Sequence, residues 1–105
     1  MNKMKTLTAF ALLGAQFAKA DFGVVNQEIN TIGTHDGNTM FFTLKSNELT
    51  SAGCNFSVLY CPETRPTCKS MLTLIVLAKA TSGKVDLSFA KDASNFCTVQ
   101  QLILK

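Results

Sequence analysis

Four cysteines and one His–acid pair are the residues of this chain best equipped for chemistry. Cys54, Cys61, Cys68 and Cys97 can ligate zinc or form disulfides. Gaps of six, six and twenty-eight residues separate them. Structural zinc sites use closely spaced cysteine pairs, which this spacing lacks. An even cysteine count in a small exported chain instead reads as disulfides. Three pairings exist. The segment 61–68 holds Pro62 and Pro66 and reads as a surface loop closed at its neck. That favours Cys61–Cys68, and with it Cys54–Cys97. His35-Asp36 is the second constellation, since an acid beside an imidazole can orient a general base. It precedes Gly37-Asn38, however, and turn chemistry explains those four residues more simply. With every cysteine bridged, no nucleophile is suggested beside His35. No P-loop, G-x-S-x-G, H-E-x-x-H or G-x-G-x-x-G motif occurs. The expectation is a protein that binds and does not catalyse, with no cofactor and no metal. Glu63 and Arg65 could form a recognition tip in the cysteine loop, or simply stand in a stapled, solvated loop.

Export is the premise of the disulfide reading, and the first twenty residues supply it. Lys3 and Lys5 precede an apolar run over 7–18, and Ala18-Lys19-Ala20 places small residues for cleavage. A basic start, a short apolar run and an A-x-A end form a secretory signal. The run is too short to span a bilayer, which takes about 20 residues. Residues 1–20 therefore read as a signal peptide, and 21–105 as one small secreted or periplasmic domain. The whole chain carries a formal charge of +3, but cleavage leaves seven basic and seven acidic residues. A nucleic-acid partner needs a basic surface, and none remains. Near-zero net charge also removes a barrier to self-association.

Hydrophobic periodicity then places the elements. Strands are expected over 27–34, 39–44, 56–60, 84–89 and 97–104, with a bulge where the parity breaks at Gln100-Gln101. In the second strand Met40, Phe42 and Leu44 face one way, and Phe41 faces the other with Thr39 and Thr43. Phe41 is thus either an exposed ring for ligand stacking or packed under another strand. Phe22, just past the cleavage point, is an anchor or a frayed end. A single helix is expected over 67–80, with Thr67 as its cap. Leu72, Ile75, Met71 and Ala78 make its wide apolar face, yet Leu74, Val76 and Leu77 lie beside or within the polar side. Ordinary surface helices keep a cleaner polar stripe. Those three residues are the candidate interface between copies of the chain. The β-β-β-α-β-β order matches a small OB-like five-stranded barrel with one helix between strands 3 and 4; a flat α+β sandwich is the alternative.

A resemblance carries this further. Residues 69–72, 78–80 and 82–87, with the strand 40–44 and Cys97-Thr98-Val99, resemble the receptor-binding B subunits of bacterial toxins. The likeness is to the subtilase-cytotoxin and pertussis-like group and covers residues 27 to 104. It implies an OB-fold subunit in a pentameric ring lined by helices, a cell-surface glycan receptor and a catalytic partner subunit. Tryptophan is absent and Tyr60 is the single tyrosine, so rings for sugar stacking are few. No sugar-contact residue of that family can be matched, and the ligand-binding residues stay unassigned. A periplasmic structural or inhibitor-type interaction domain without a sugar site is the alternative. N-terminal sequencing of the exported protein is expected to begin Asp21-Phe22-Gly23; an N-terminus retaining residues 1–20 would remove the export premise.

Overall fold

The computed structural model describes residues 21–105; the signal peptide expected over 1–20 lies outside them. Nine elements follow in order. Strand β1 spans Asp21–Gln27, β2 Ile29–His35 and β3 Thr39–Leu44. A short helix α1 (Glu48–Ala52) and a 3-10 turn (Asn55–Ser57) lead to β4 (Leu59–Pro62). The main helix α2 (Pro66–Thr81) precedes β5 (Val85–Lys91) and β6 (Cys97–Leu104). The fold is mostly strand, with one main helix and two disulfides.

All six strands form one sheet in the order β1-β5-β6-β4-β3-β2. The strands at its two ends, β1 and β2, are consecutive in the chain and separated only by Glu28. The sheet must therefore curl until its ends approach. Every pairing is antiparallel except β4 with β6, which meet in parallel at two positions, Leu59 opposite Cys97 and Tyr60 opposite Thr98. Alternation sorts the side chains as the sequence predicts. Met40, Phe42 and Leu44 are buried, as are Val85, Leu87 and Phe89. The bulge expected in the last strand is present: Ser88 opposes Gln101 while Phe89 opposes Val99, leaving Gln100 over.

Several boundaries differ from the sequence reading. The sheet has six strands, because 21–27 forms an additional strand on β5. Phe22 is its anchor, stacked on Phe89 with ring centroids 5.2 Å apart. The strand expected over 56–60 begins only at Leu59. Phe56 and Ser57 have positive φ, 61° and 52°, which no strand tolerates. Helix α2 begins with Pro66 in its first turn and has no side-chain cap, so Thr67 is not its cap. It ends at Ser82 in a left-handed conformation, with the Gly83 amide donating to the Ala78 carbonyl at 2.9 Å.

Helix α2 buries Cys68, Met71, Ile75 and Ala78 against the sheet, a spacing of three and four residues. Ile75 is fully enclosed with Phe42, Leu59, Val85, Phe89 and Val99. Leu74 is half-buried and packs on this core. Leu72, expected in the core face, is instead 39% exposed. Val76 and Leu77 are 48% and 47% exposed. Leu72 and Val76 sit one turn apart on the same ridge.

The joint between β1 and β2 is held by charge. The Glu28 carboxylate meets Lys45 Nζ at 3.0 Å and Lys84 Nζ at 2.6 Å. Lys45 follows β3 and Lys84 precedes β5, so one acid ties three strand ends. Lys84 and then Lys45 hold the Glu28 carboxyl down to about 2 from the ordinary 4.5. Ionised Glu28 therefore contributes its full stabilisation above pH 4.5, and that contribution is lost as pH falls toward 2. Across this window the Tm of the native protein is expected to fall more steeply than that of Glu28→Gln, and about 1 M salt to narrow the difference. Parallel Tm-against-pH curves would mean that Glu28 does not hold the joint.

Candidate functional site

The aromatic side chains that do not enter the core gather on the outer face of β2, β3, β4 and the start of β6. Tyr60 stands at their centre. Its neighbours in β4, Leu59 and Cys61, point inward and are fully buried, so the pleat turns Tyr60 out. Phe41 is directly opposite on β3, and Thr98 directly opposite on β6. The Tyr60 ring centroid lies 6.4 Å from Phe41, 6.2 Å from His35 and 5.8 Å from Phe96, the last edge-on. Phe56 continues the row at 6.4 Å from Phe96.

Glycine makes room for Phe41. Gly33 faces it across the β2–β3 pairing, and a Cβ there would lie 2.5 Å from the Phe41 ring. With no side chain at 33, the ring lies over β2. Phe41 is thus half-buried on the outer face, beside Tyr60. His35 ends β2 opposite Thr39, and Asp36-Gly37-Asn38 closes the hairpin. Gly37 and Asn38 both take the positive φ that such a tight turn requires.

Phe56 and Phe96 are far apart in sequence and are brought together by a covalent clasp. Cys54 is bonded to Cys97, and Cys61 to Cys68, which is the expected pairing. Phe56 lies two residues after Cys54, and Phe96 one before Cys97. The Asn55 amide donates to the Asn95 carbonyl at 2.8 Å, and Asn55 Nδ2 to the Ser94 carbonyl at 2.7 Å. Asp92 shapes the other half of this junction. Its Oδ1 accepts from the Ser94 and Phe96 amides at 2.8 and 3.0 Å. The turn 92–95 is thereby fixed, and Phe96 is aimed along the sheet surface.

Two clefts flank Tyr60. One, of about 280 Å³, runs between His35, Asp36 and Thr39 on one side and Asp92, Phe96 and Thr98 on the other. The second, of about 290 Å³, is lined by His35, Phe41, Phe56, Val58 and Tyr60. The first offers ring faces, hydroxyls and carboxylates, the second chiefly ring faces, and together these are groups that bind a molecule with one apolar and one hydroxylated face. Both cysteine pairs are bridged, so no thiol is available here. Among the described residues no three acids, histidines or cysteines gather as a metal site.

The structure brings His35, Asp36 and Phe41 to this face. It separates Glu63 from Arg65: the Arg65 guanidinium turns inward and donates to the Val99 carbonyl at 2.6 Å, so it does not form an outward tip. Leu74, Val76 and Leu77 lie on α2, away from the aromatic row. Phe56, Phe96, Thr98 and Asp92 were not legible as site residues. The signal for the two rings was their position beside Cys54 and Cys97. Comparison with protein-family models, curated proteins and solved structures finds no match to this chain.

The clasp generates a prediction. Closing a loop across a sequence separation of 43 is worth about 4 kcal/mol in the chain-entropy model. Cys54→Ser/Cys97→Ser is expected to lose about that much in chemical denaturation and to alter the emission of Tyr60. Unchanged stability and emission would show that the clasp does not organise this face.

Proposed function

We propose that this protein is an exported, non-catalytic binding subunit that recognises cell-surface glycans through the outer face around Tyr60. One observation carries the reading: four aromatic side chains, one tyrosine among them, remain on the outside of a domain that packs its other described phenylalanines into or onto the core. Exposed rings edged by hydroxyls and carboxylates suit pyranoses, whose axial C–H faces stack on aromatics while their hydroxyls hydrogen-bond to the rim. The two disulfides fit an extracellular or periplasmic setting. Among the described residues no helix is long and apolar enough to cross a membrane.

The architecture is read as OB-like, with β1 and β2 counted as one first strand bent at Glu28. This is supported by the strand order, the parallel β4–β6 contact and the position of α2 between β4 and β5. The reading as a toxin B-subunit relative belongs with it, and would bring a ring of copies, a pentamer, and a catalytic partner subunit. Leu72, Val76 and Leu77 supply an apolar surface on α2 for the contact between copies.

A second reading has its own observation. Phe56 is 80% exposed at the tip of a 3-10 turn with a positive φ. A ring displayed in that way suits the anchor of an inhibitor-type protein interaction.

A glycan array and a native mass test the proposal together. The protein is expected to bind a coherent set of glycans, and Tyr60→Ala to weaken that binding about tenfold or more. Phe56→Ala, which removes an exposed ring without touching the core, is expected to weaken it less while leaving Tm unchanged. The native mass is expected to be oligomeric at tens of micromolar, and Val76→Glu/Leu77→Glu to be monomeric. An empty array with capture of one protein partner through Phe56 would favour the second reading.

A further inference from the structure

The cleft beside Tyr60 has a charge pattern that saccharide stacking alone does not use, and any role for that pattern rests on the saccharide reading. Two carboxylates reach the cleft from separate loops. Asp36 comes from the β2–β3 hairpin and Asp92 from the turn after β5. Asp92 spends Oδ1 on the Ser94 and Phe96 amides, which leaves Oδ2 for a ligand. Among the described residues neither lysine nor arginine lines the cleft. The nearest candidates by sequence are committed elsewhere. Lys91 donates to the Ala52 carbonyl at 2.8 Å and lies over the Phe22 ring at 5.6 Å. Arg65 is held by the Val99 carbonyl. A ligand stacked on Tyr60 therefore meets negative charge from both sides and two π faces that favour cations, Tyr60 and Phe96.

We infer that this cleft selects saccharides by charge: an amine-bearing pyranose binds more tightly than its neutral counterpart, and a carboxylated sugar is rejected. The ammonium of an amino sugar sits between the Asp36 and Asp92 carboxylates over the aromatic floor. A sugar carboxylate placed there would face two like charges with neither lysine nor arginine to receive it, and with His35 as the only basic side chain in the lining. In a cleft open to water each charge pair changes affinity by about three- to fivefold, and salt screens the effect.

The chain supplies its own reporter. Tyr60 is the only tyrosine and tryptophan is absent, so tyrosine emission reads the face around Tyr60 alone. The mature protein is titrated with glucosamine, glucose and glucuronate, and with galactosamine, galactose and galacturonate. Within a series the affinities are expected to fall in that order, and the order to compress at about 1 M salt. Asp36→Asn/Asp92→Asn is expected to lose the ordering, so that the three members of a series bind alike. Saturable binding with the three members of a series equal, or with the acid tightest, overturns the charge inference and leaves the saccharide site standing. No response from any of the six sugars overturns the saccharide reading, and the inference with it.

Discussion

The Cys54–Cys97 bond is the constraint on which the rest of this domain depends. The sheet is thin at one seam: β4 and β6 meet in parallel at only two positions, Leu59 with Cys97 and Tyr60 with Thr98. On one side of that seam the hairpin β2–β3 continues into β4, and on the other β5 and β1 hang on β6. The disulfide lies across the seam and fixes the start of β6 against the segment before β4. The Arg65 guanidinium adds a second tie at Val99, one residue beyond the paired positions. At the opposite joint the closure is ionic, with Glu28 between Lys45 and Lys84. One closure is covalent and independent of pH; the other weakens in acid.

The same clasp makes the surface. A small domain has few rings to spare, and this one encloses Phe42 and Phe89 completely. Phe56 and Phe96 would otherwise belong to unrelated loops. Bonding Cys54 to Cys97 and pairing Asn55 with Asn95 puts them side by side, next to a tyrosine that the pleat of β4 turns outward. Gly33 completes the face by leaving space for Phe41. Stability and site thus share one device, and a lesion in it reaches both.

Much of the fold was legible in the residues. The alternation in 39–44, 84–89 and 97–104 marked β3, β5 and β6, and the parity break at Gln100-Gln101 marked the bulge. Two prolines in an eight-residue loop favoured the observed cysteine pairing over the two alternatives. The first strand did not show, because residues 21–27 alternate poorly and turn at Asn26, whose φ is positive and whose amide is held by Asp86. The break at 56–57 was hidden because Phe56, Val58 and Tyr60 alternate as a strand would, while the backbone makes a 3-10 turn. A helical wheel puts Leu72 on the core face, but Cys68, Met71, Ile75 and Ala78 already fill the contact with the sheet and Leu72 stays exposed at its edge. The site was least legible. His35, Asp36 and Phe41 could be singled out from the sequence, but Asp92, Phe96 and Thr98 join them only through the β4–β6 seam, a parallel contact between segments more than thirty residues apart.

The face around Tyr60 is the proposed seat of a ligand. Amide chemical-shift mapping of the oxidised protein with a neutral disaccharide tests it most directly. Saturable shifts confined to His35, Thr39, Tyr60, Phe96 and Thr98 are predicted. Saturable shifts that leave these residues still and move another surface would contradict it.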